Sequence, residues 1–231
     1  MVGMQNNPAI ERPALPALPA LPALSGPAVL LAENLCFHYP QHELFANLSV
    51  RIPPGVTLLR GAEDRGKTTL LRLLAGELSA HAGELTVNTI RLGDQPMIYR
   101  QQVFWTHPQS SAFDQVTSAD YFSAMRRLYP KFDDQLLGDL IEGLSLTQHQ
   151  EKALYMLSAG SKRKVWLAAA FASGAAVTLL DEPFAALDKA SIGFVMELLE
   201  DAAQHPERAW VIADYEAPAE VPLAAIIDLG E

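Results

Sequence analysis

Residues Gly61-Ala62-Glu63-Asp64-Arg65-Gly66-Lys67-Thr68 spell G-x-x-x-x-G-K-T, and this stretch restricts the possible folds more than any other. The pattern works only between a buried strand and a helix. Both flanks comply. Gly55-Val56-Thr57-Leu58-Leu59-Arg60 is apolar and β-branched enough for a strand. Thr69-Leu70-Leu71-Arg72-Leu73-Leu74-Ala75-Gly76 carries helix formers and a glycine stop. A helix N-terminus leaves amides unpaired and favours anions. Glycine lets the loop wrap phosphate oxygens with its amides. Lys67 would reach the β and γ phosphates of a nucleotide, and the Thr68 hydroxyl would hold Mg²⁺.

A second chemical stretch is Val177-Thr178-Leu179-Leu180-Asp181-Glu182-Pro183. Two adjacent acids at the end of a buried strand are costly unless a cation offsets them. Mg²⁺ on a triphosphate is such a cation. Asp181 would position the metal through its water. Glu182 would polarise the attacking water as general base.

The rest of the chain fits around these two stretches. Residues 1–27 contain a Pro-Ala-Leu repeat from Pro13 to Leu24, which forbids a helix ladder and suits an extended, disordered arm. Residues 30–39 and 44–52 read as strands around a polar turn at Pro40-Gln41-His42-Glu43. Further strands are expected at 83–88, 101–105, 176–180, 210–213 and 224–228. From Val116 the period becomes helical, opening on the cap-like Thr117-Ser118-Ala119-Asp120 and continuing to about Leu157. Helices are also expected at 165–171 and 191–203. Alternating strands and helices predict an α/β fold with a mostly parallel sheet and helices on both faces. The net charge of −10 argues against sequence-independent nucleic-acid binding. Cys36 is the only cysteine, which is consistent with a reducing compartment. No run of 18 apolar residues and no basic leader with an apolar core is present.

With these residues in view, the chain resembles the ATP-binding-cassette ATPases over roughly residues 28–228. Leu157-Ser158-Ala159-Gly160-Ser161 is similar to the "LSGGQ" signature, and Phe184-Ala185-Ala186-Leu187-Asp188 to the D-loop that follows the Walker B acids. Tyr39 falls where the family stacks an aromatic on adenine, and His107 to Gln109 where its Q-loop lies. The Leu-Ser-Ala-Gly spelling and His107 bear a weaker resemblance to the family's cytochrome c biogenesis branch. The resemblance implies a P-loop NTPase fold over residues 28–231, with a small antiparallel β subdomain and a helical subdomain at about 110–160. It implies ATP and Mg²⁺ as ligands. Nucleotide contacts fall on Tyr39, Gly61, Ala62, Glu63, Asp64, Arg65, Gly66, Lys67, Thr68, Thr69, His107 and Gln109, and metal contacts on Thr68, Asp181 and Gln109. Ser158, Ala159 and Gly160 would cap the γ-phosphate of a second cassette paired head to tail, either a copy of this chain or another ATPase. A separate transmembrane permease would be the driven partner, with this chain at the cytoplasmic face.

Three positions depart from the family pattern. Asp64 stands where Gly is usual, Ser161 where Gln is usual, and Tyr215 where the switch His is expected. Tyr215 would take that catalytic place beside Glu182 and Lys67. A tyrosine hydroxyl offers one hydrogen bond but not the acid–base range of imidazole. The sequence therefore carries two readings: a slow ATPase subunit of a transporter, or a degenerate cassette that binds ATP and regulates. The remaining histidines (His38, His42, His81, His149, His205) show no metal-ligand spacing. Lys162-Arg163-Lys164 reads as the solvated start of a helix, and Trp166 and Trp210 as core residues.

Overall fold

In a computed structural model, residues 27–40, 42–107 and 110–230 are described. The Pro-Ala-Leu repeat and Gln109 lie outside them. The chain runs β1 (Leu30–Tyr39), β2 (His42–Ile52), β3 (Gly55–Arg60), α1 (Lys67–Leu74), β4 (Ala82–Val87), β5 (Ile90–Arg91), α2 (Pro96–Gln102), β6 (Val103–Trp105), α3 (Ser118–Leu128), α4 (Asp134–Gly143), α5 (Ala159–Ala172), β7 (Val177–Asp181), α6 (Lys189–Ala203), β8 (Ala209–Ala213) and β9 (Leu223–Asp228). Two short 3₁₀ turns lie between α4 and α5.

The strands form two sheets. One has the order β2-β1-β4-β5 and is antiparallel; the other has the order β6-β7-β8-β3-β9 and is parallel. The inner parallel strands β3, β7 and β8 are apolar on both sides because both sides are covered, whereas β9 at the edge leaves Ala224 and Ile226 exposed. On β8, Ala209, Val211 and Ala213 face one core, shared with the antiparallel sheet and α1. Trp210 and Ile212 face the other, shared with α3 to α6. The predicted α/β class and the buried Trp210 are therefore present in the structure.

Two expected elements differ, and two observed ones were not foreseen. The long helical stretch is broken. Tyr129-Pro130 ends α3, since the residue before proline is pushed out of the helical region. Asp133 then starts α4 by accepting from the amides of Gln135 (3.0 Å) and Leu136 (2.9 Å). After α4, Ser145 takes a left-handed φ of 56°. The strand expected from residue 101 begins only at Val103, because Gln101 and Gln102 close α2. Neither α2 nor β5 was expected. The cap at Thr117 is real: its Oγ1 accepts from the Asp120 amide (3.1 Å) and donates to the Asp120 carboxylate (2.9 Å).

This topology places the site. β7, β8 and β3 are neighbours in the parallel sheet. Their carboxyl ends lead into Asp181-Glu182, Asp214-Tyr215 and the phosphate loop respectively. Ligands bind at that edge in open α/β sheets.

Candidate active site

The loop from Gly61 to Gly66 bends through two left-handed residues, Asp64 (φ 60°) and Gly66 (φ 85°). Aspartate tolerates this conformation better than most residues, so the Asp64 departure leaves the loop intact. Gly66 is required on two counts. Its φ is unfavourable for a side chain, and an added Cβ would come within 2.6 Å of the Leu44 side chain. The first α1 amide to close back on the loop is that of Leu70, on the Gly66 carbonyl at 2.8 Å. The amides of Lys67, Thr68 and Thr69 precede it and have no partner within the helix. All three residues line a cleft of about 680 Å³ together with Tyr39, His42, Leu44, Glu63, Asp64, Arg65, Gly66, Asp181, Glu182 and Tyr215.

Inside the cleft, Lys67 Nζ donates to its own loop's carbonyls, Gly61 at 2.7 Å and Ala62 at 3.0 Å. It also stands 4.1 Å from the centroid of the Tyr215 ring, a cation–π contact. The Thr68 hydroxyl donates to Asp181 Oδ2 at 2.7 Å. Hydroxyl and carboxylate oxygens side by side are a hard donor set that suits Mg²⁺. Burial pushes the Asp181 carboxyl above its ordinary value. The Thr68 hydrogen bond, His107 and Arg163 pull it down, while the Glu182 charge adds to the rise.

Glu182 follows on the rim, exposed, with a left-handed φ of 45°. Tyr39 is 41% exposed. Its ring meets Phe37 edge-on at 5.1 Å, and its hydroxyl shares a 3.1 Å hydrogen bond with Thr69. Asp64 and Arg65 form no ion pair with each other among the described residues, so Arg65 does not offset the acid by direct contact. Tyr215 is 54% exposed, and burial is the first cause raising its pKa, ahead of the charges of Glu63, Glu182, Asp214 and Asp64.

The signature residues lie elsewhere. Ser158, Ala159 and Gly160 do not line the cleft. Ser158 caps α5, accepting from the Ser161 amide at 3.1 Å and donating to the Ser161 hydroxyl at 3.0 Å. Gly160 sits against the D-loop, where an added Cβ would meet the Ala186 carbonyl at 2.4 Å. Asp188 closes that loop by capping α6 at the Ser191 amide (2.9 Å) and binding Lys164 Nζ (2.6 Å).

The three cations read as a solvated run are engaged instead. Lys162 pairs with Asp114 at 2.5 Å, Lys164 with Asp188, and Arg163 donates to the Asp181 carbonyl at 3.1 Å and to the Glu182 carbonyl. Their partners come from distant segments, so local composition gave no sign of them. His42 and Leu44 in the cleft were also missed: His42 reads as part of a polar turn and Leu44 as a strand residue, and neither carries a nucleotide-site pattern.

Comparison with known proteins agrees with this geometry. The sequence model of the family described as "ABC transporter" matches residues 45–185. A cytochrome c biogenesis ATP-binding export protein CcmA of Pseudomonas savastanoi pv. phaseolicola is 30% identical over 190 residues, covering 82% of this chain and 88% of that protein. The ABC transporter ATP-binding protein YtrB of Bacillus subtilis is 26% identical, covering 75% and 59%. Among solved structures, a putative ABC transporter ATP-binding protein from Pyrococcus furiosus aligns with a TM-score of 0.69 at 23% identity, over 87% of this chain and 96% of that one. An ATP-binding cassette solved as a dimer in a post-hydrolysis state with ADP and Pi aligns with a TM-score of 0.68 at 18% identity, over 81% and 88%. Fold and site thus define a nucleotide-hydrolysing cassette. The chain belongs to the ABC transporter family, as an ATP-binding and ATP-hydrolysing subunit.

Proposed function

We propose that this subunit hydrolyses MgATP slowly and, as one of a head-to-tail pair, drives a separate membrane protein. The observation that carries the reading is the 2.7 Å contact between Thr68 and Asp181, which joins the phosphate loop to the acidic strand end. Thr68 and Asp181 would hold Mg²⁺, whose charge offsets the phosphates. The loop amides and Lys67 would hold the phosphates, once Lys67 leaves the Gly61 and Ala62 carbonyls. Tyr39 would support the base. Glu182 would accept the proton of the attacking water. His107 and Gln109 would take the Q-loop position that their place in the sequence implies.

Slow turnover follows from Tyr215. Its ring packs on Lys67 where the family would offer an imidazole. A neutral phenol cannot shuttle a proton at neutral pH. Pairing is supported by the position of the Ser158 cap outside its own cleft, where it is available to another chain's phosphate, and by the dimeric cassette among the structural relatives. No helix among the described residues is long and apolar enough to cross a membrane, so a membrane role calls for a partner. The CcmA relatives, export proteins by name, point to an export partner, and pairing with it would place this chain at the cytoplasmic face of the membrane.

Isothermal titration tests the binding half. MgATP should bind in the micromolar range to the wild type and at least about tenfold more weakly to Lys67→Ala, a difference of about 1.4 kcal/mol. Equal heats for the two proteins would refute the reading.

A further inference from the structure

Arg163 lies between two lysines that use their charge on side-chain carboxylates, yet its own bonds go to main-chain carbonyls. We propose that Arg163 is a positioning residue for hydrolysis: its guanidinium fixes the direction in which Glu182 presents its carboxylate. The proposal rests on the reading of Glu182 as general base.

The geometry is specific. One nitrogen, Nη1, donates to the Asp181 carbonyl (3.1 Å) and to the Glu182 carbonyl. These carbonyls belong to the two peptide units on either side of the Glu182 Cα. Pinning both planes fixes φ and ψ at that residue, and with them the Cα–Cβ direction. The Glu182 amide adds a third anchor, donating to the Ala213 carbonyl of β8 at 2.9 Å.

Glu182 needs such support. Its φ of 45° is a conformation that residues with a side chain seldom adopt. Pro183 follows it, and a residue before proline prefers extended backbone. Local preference would therefore turn the carboxylate away from its present direction, so tertiary contacts must hold it. The arginine can reach because α5 packs closely on the adjoining loop. Gly160, three residues before Arg163 on the same helix face, sits against the Ala186 carbonyl, and Lys164 next to it in the chain binds Asp188.

Arg163 holds this position at a cost. Its Nε is buried without an acceptor among the described residues, and burial lowers its pKa against the opposing pull of Glu182, Asp181 and Asp214. An aliphatic side chain would fill the space without that cost. The carbonyl contacts account for the charged group.

The test measures kcat, KM and MgATP Kd for Arg163→Met, Arg163→Lys, Glu182→Gln and the Arg163→Met/Glu182→Gln double variant. Arg163→Met should lower kcat roughly 10- to 100-fold with Kd within about twofold of wild type. Arg163→Lys, which keeps a donor, should recover part of the loss. In the Glu182→Gln background, Arg163→Met should cost less than about a further twofold, because there is no base left to aim. The proposal is overturned if Arg163→Met keeps wild-type kcat, if Kd rises as kcat falls in both Arg163 variants, or if the two losses multiply. A Glu182→Gln variant with wild-type turnover would instead overturn Glu182 as the base, and this proposal with it.

Discussion

The Thr68 hydroxyl donates to Asp181 Oδ2 at 2.7 Å, although the two residues are 113 positions apart. No local rule brings them together. β3 and β7 flank β8 in one parallel sheet, and each ends at the same edge. The pairing is therefore a product of the strand order.

That contact predicts how the metal is held. If Asp181 orients Mg²⁺, Asp181→Asn should raise the Mg²⁺ concentration for half-maximal turnover by about 10- to 100-fold. ATP binding measured without Mg²⁺ should persist. An unchanged Mg²⁺ requirement in Asp181→Asn would remove Asp181 from the metal site.

Asp64 places a negative charge in the phosphate loop with no ion pair among the described residues. At ~6 Å from a phosphate charge, repulsion at an effective dielectric of 20 is about 3 kcal/mol, and solvent exposure reduces it. Glycine suits the observed φ of 60°, so Asp64→Gly should keep the loop and relieve the repulsion. The Kd for MgATP should tighten about tenfold, as read by titration. An unchanged Kd would mean that the carboxylate does not act on the phosphates.

Much of this was legible in the sequence, for physical reasons. The inner parallel strands are continuous apolar runs because both faces are buried, and Asp181-Glu182 is conspicuous where such a run stops. Other parts were hidden. α2 has only Tyr99 buried, with Met97 76% exposed and Ile98 44% exposed, so it carries no helical period to detect. The breaks around Pro130 and Ser145 interrupt a pattern whose buried positions, Leu137, Leu140 and Leu144, lie on one face. Arg163 was read as solvated because its partners are carbonyl groups, which have no sequence signature.

Asp188 ties the D-loop to α5 and α6 and gives a pH test. Hydrogen bonds from Lys164 first, then from Ser191, hold its carboxyl well below the usual carboxylate range. A depressed folded pKa contributes stability above the unfolded value and loses it as pH falls through the folded one. Asp188→Asn keeps a capping side chain and removes the charge. The wild type should exceed this variant in urea midpoint by a constant margin from about pH 7 to 5, and the margin should shrink below about pH 4. A margin that stays constant into strong acid would show that the Lys164 contact contributes nothing through charge.

Phosphate release at saturating MgATP, compared across wild type, Glu182→Gln and Tyr215→His, tests the central claim most directly. Glu182 stands at the end of β7 where a base belongs, and the Tyr215 ring lies on Lys67 where an imidazole would serve. Glu182→Gln keeps the side chain's shape and loses the base, so turnover should fall by roughly 10² to 10⁴ with MgATP still bound. Tyr215→His should raise turnover above the wild-type rate. Wild-type turnover in Glu182→Gln, or a fast wild type that Tyr215→His does not change, would contradict the account.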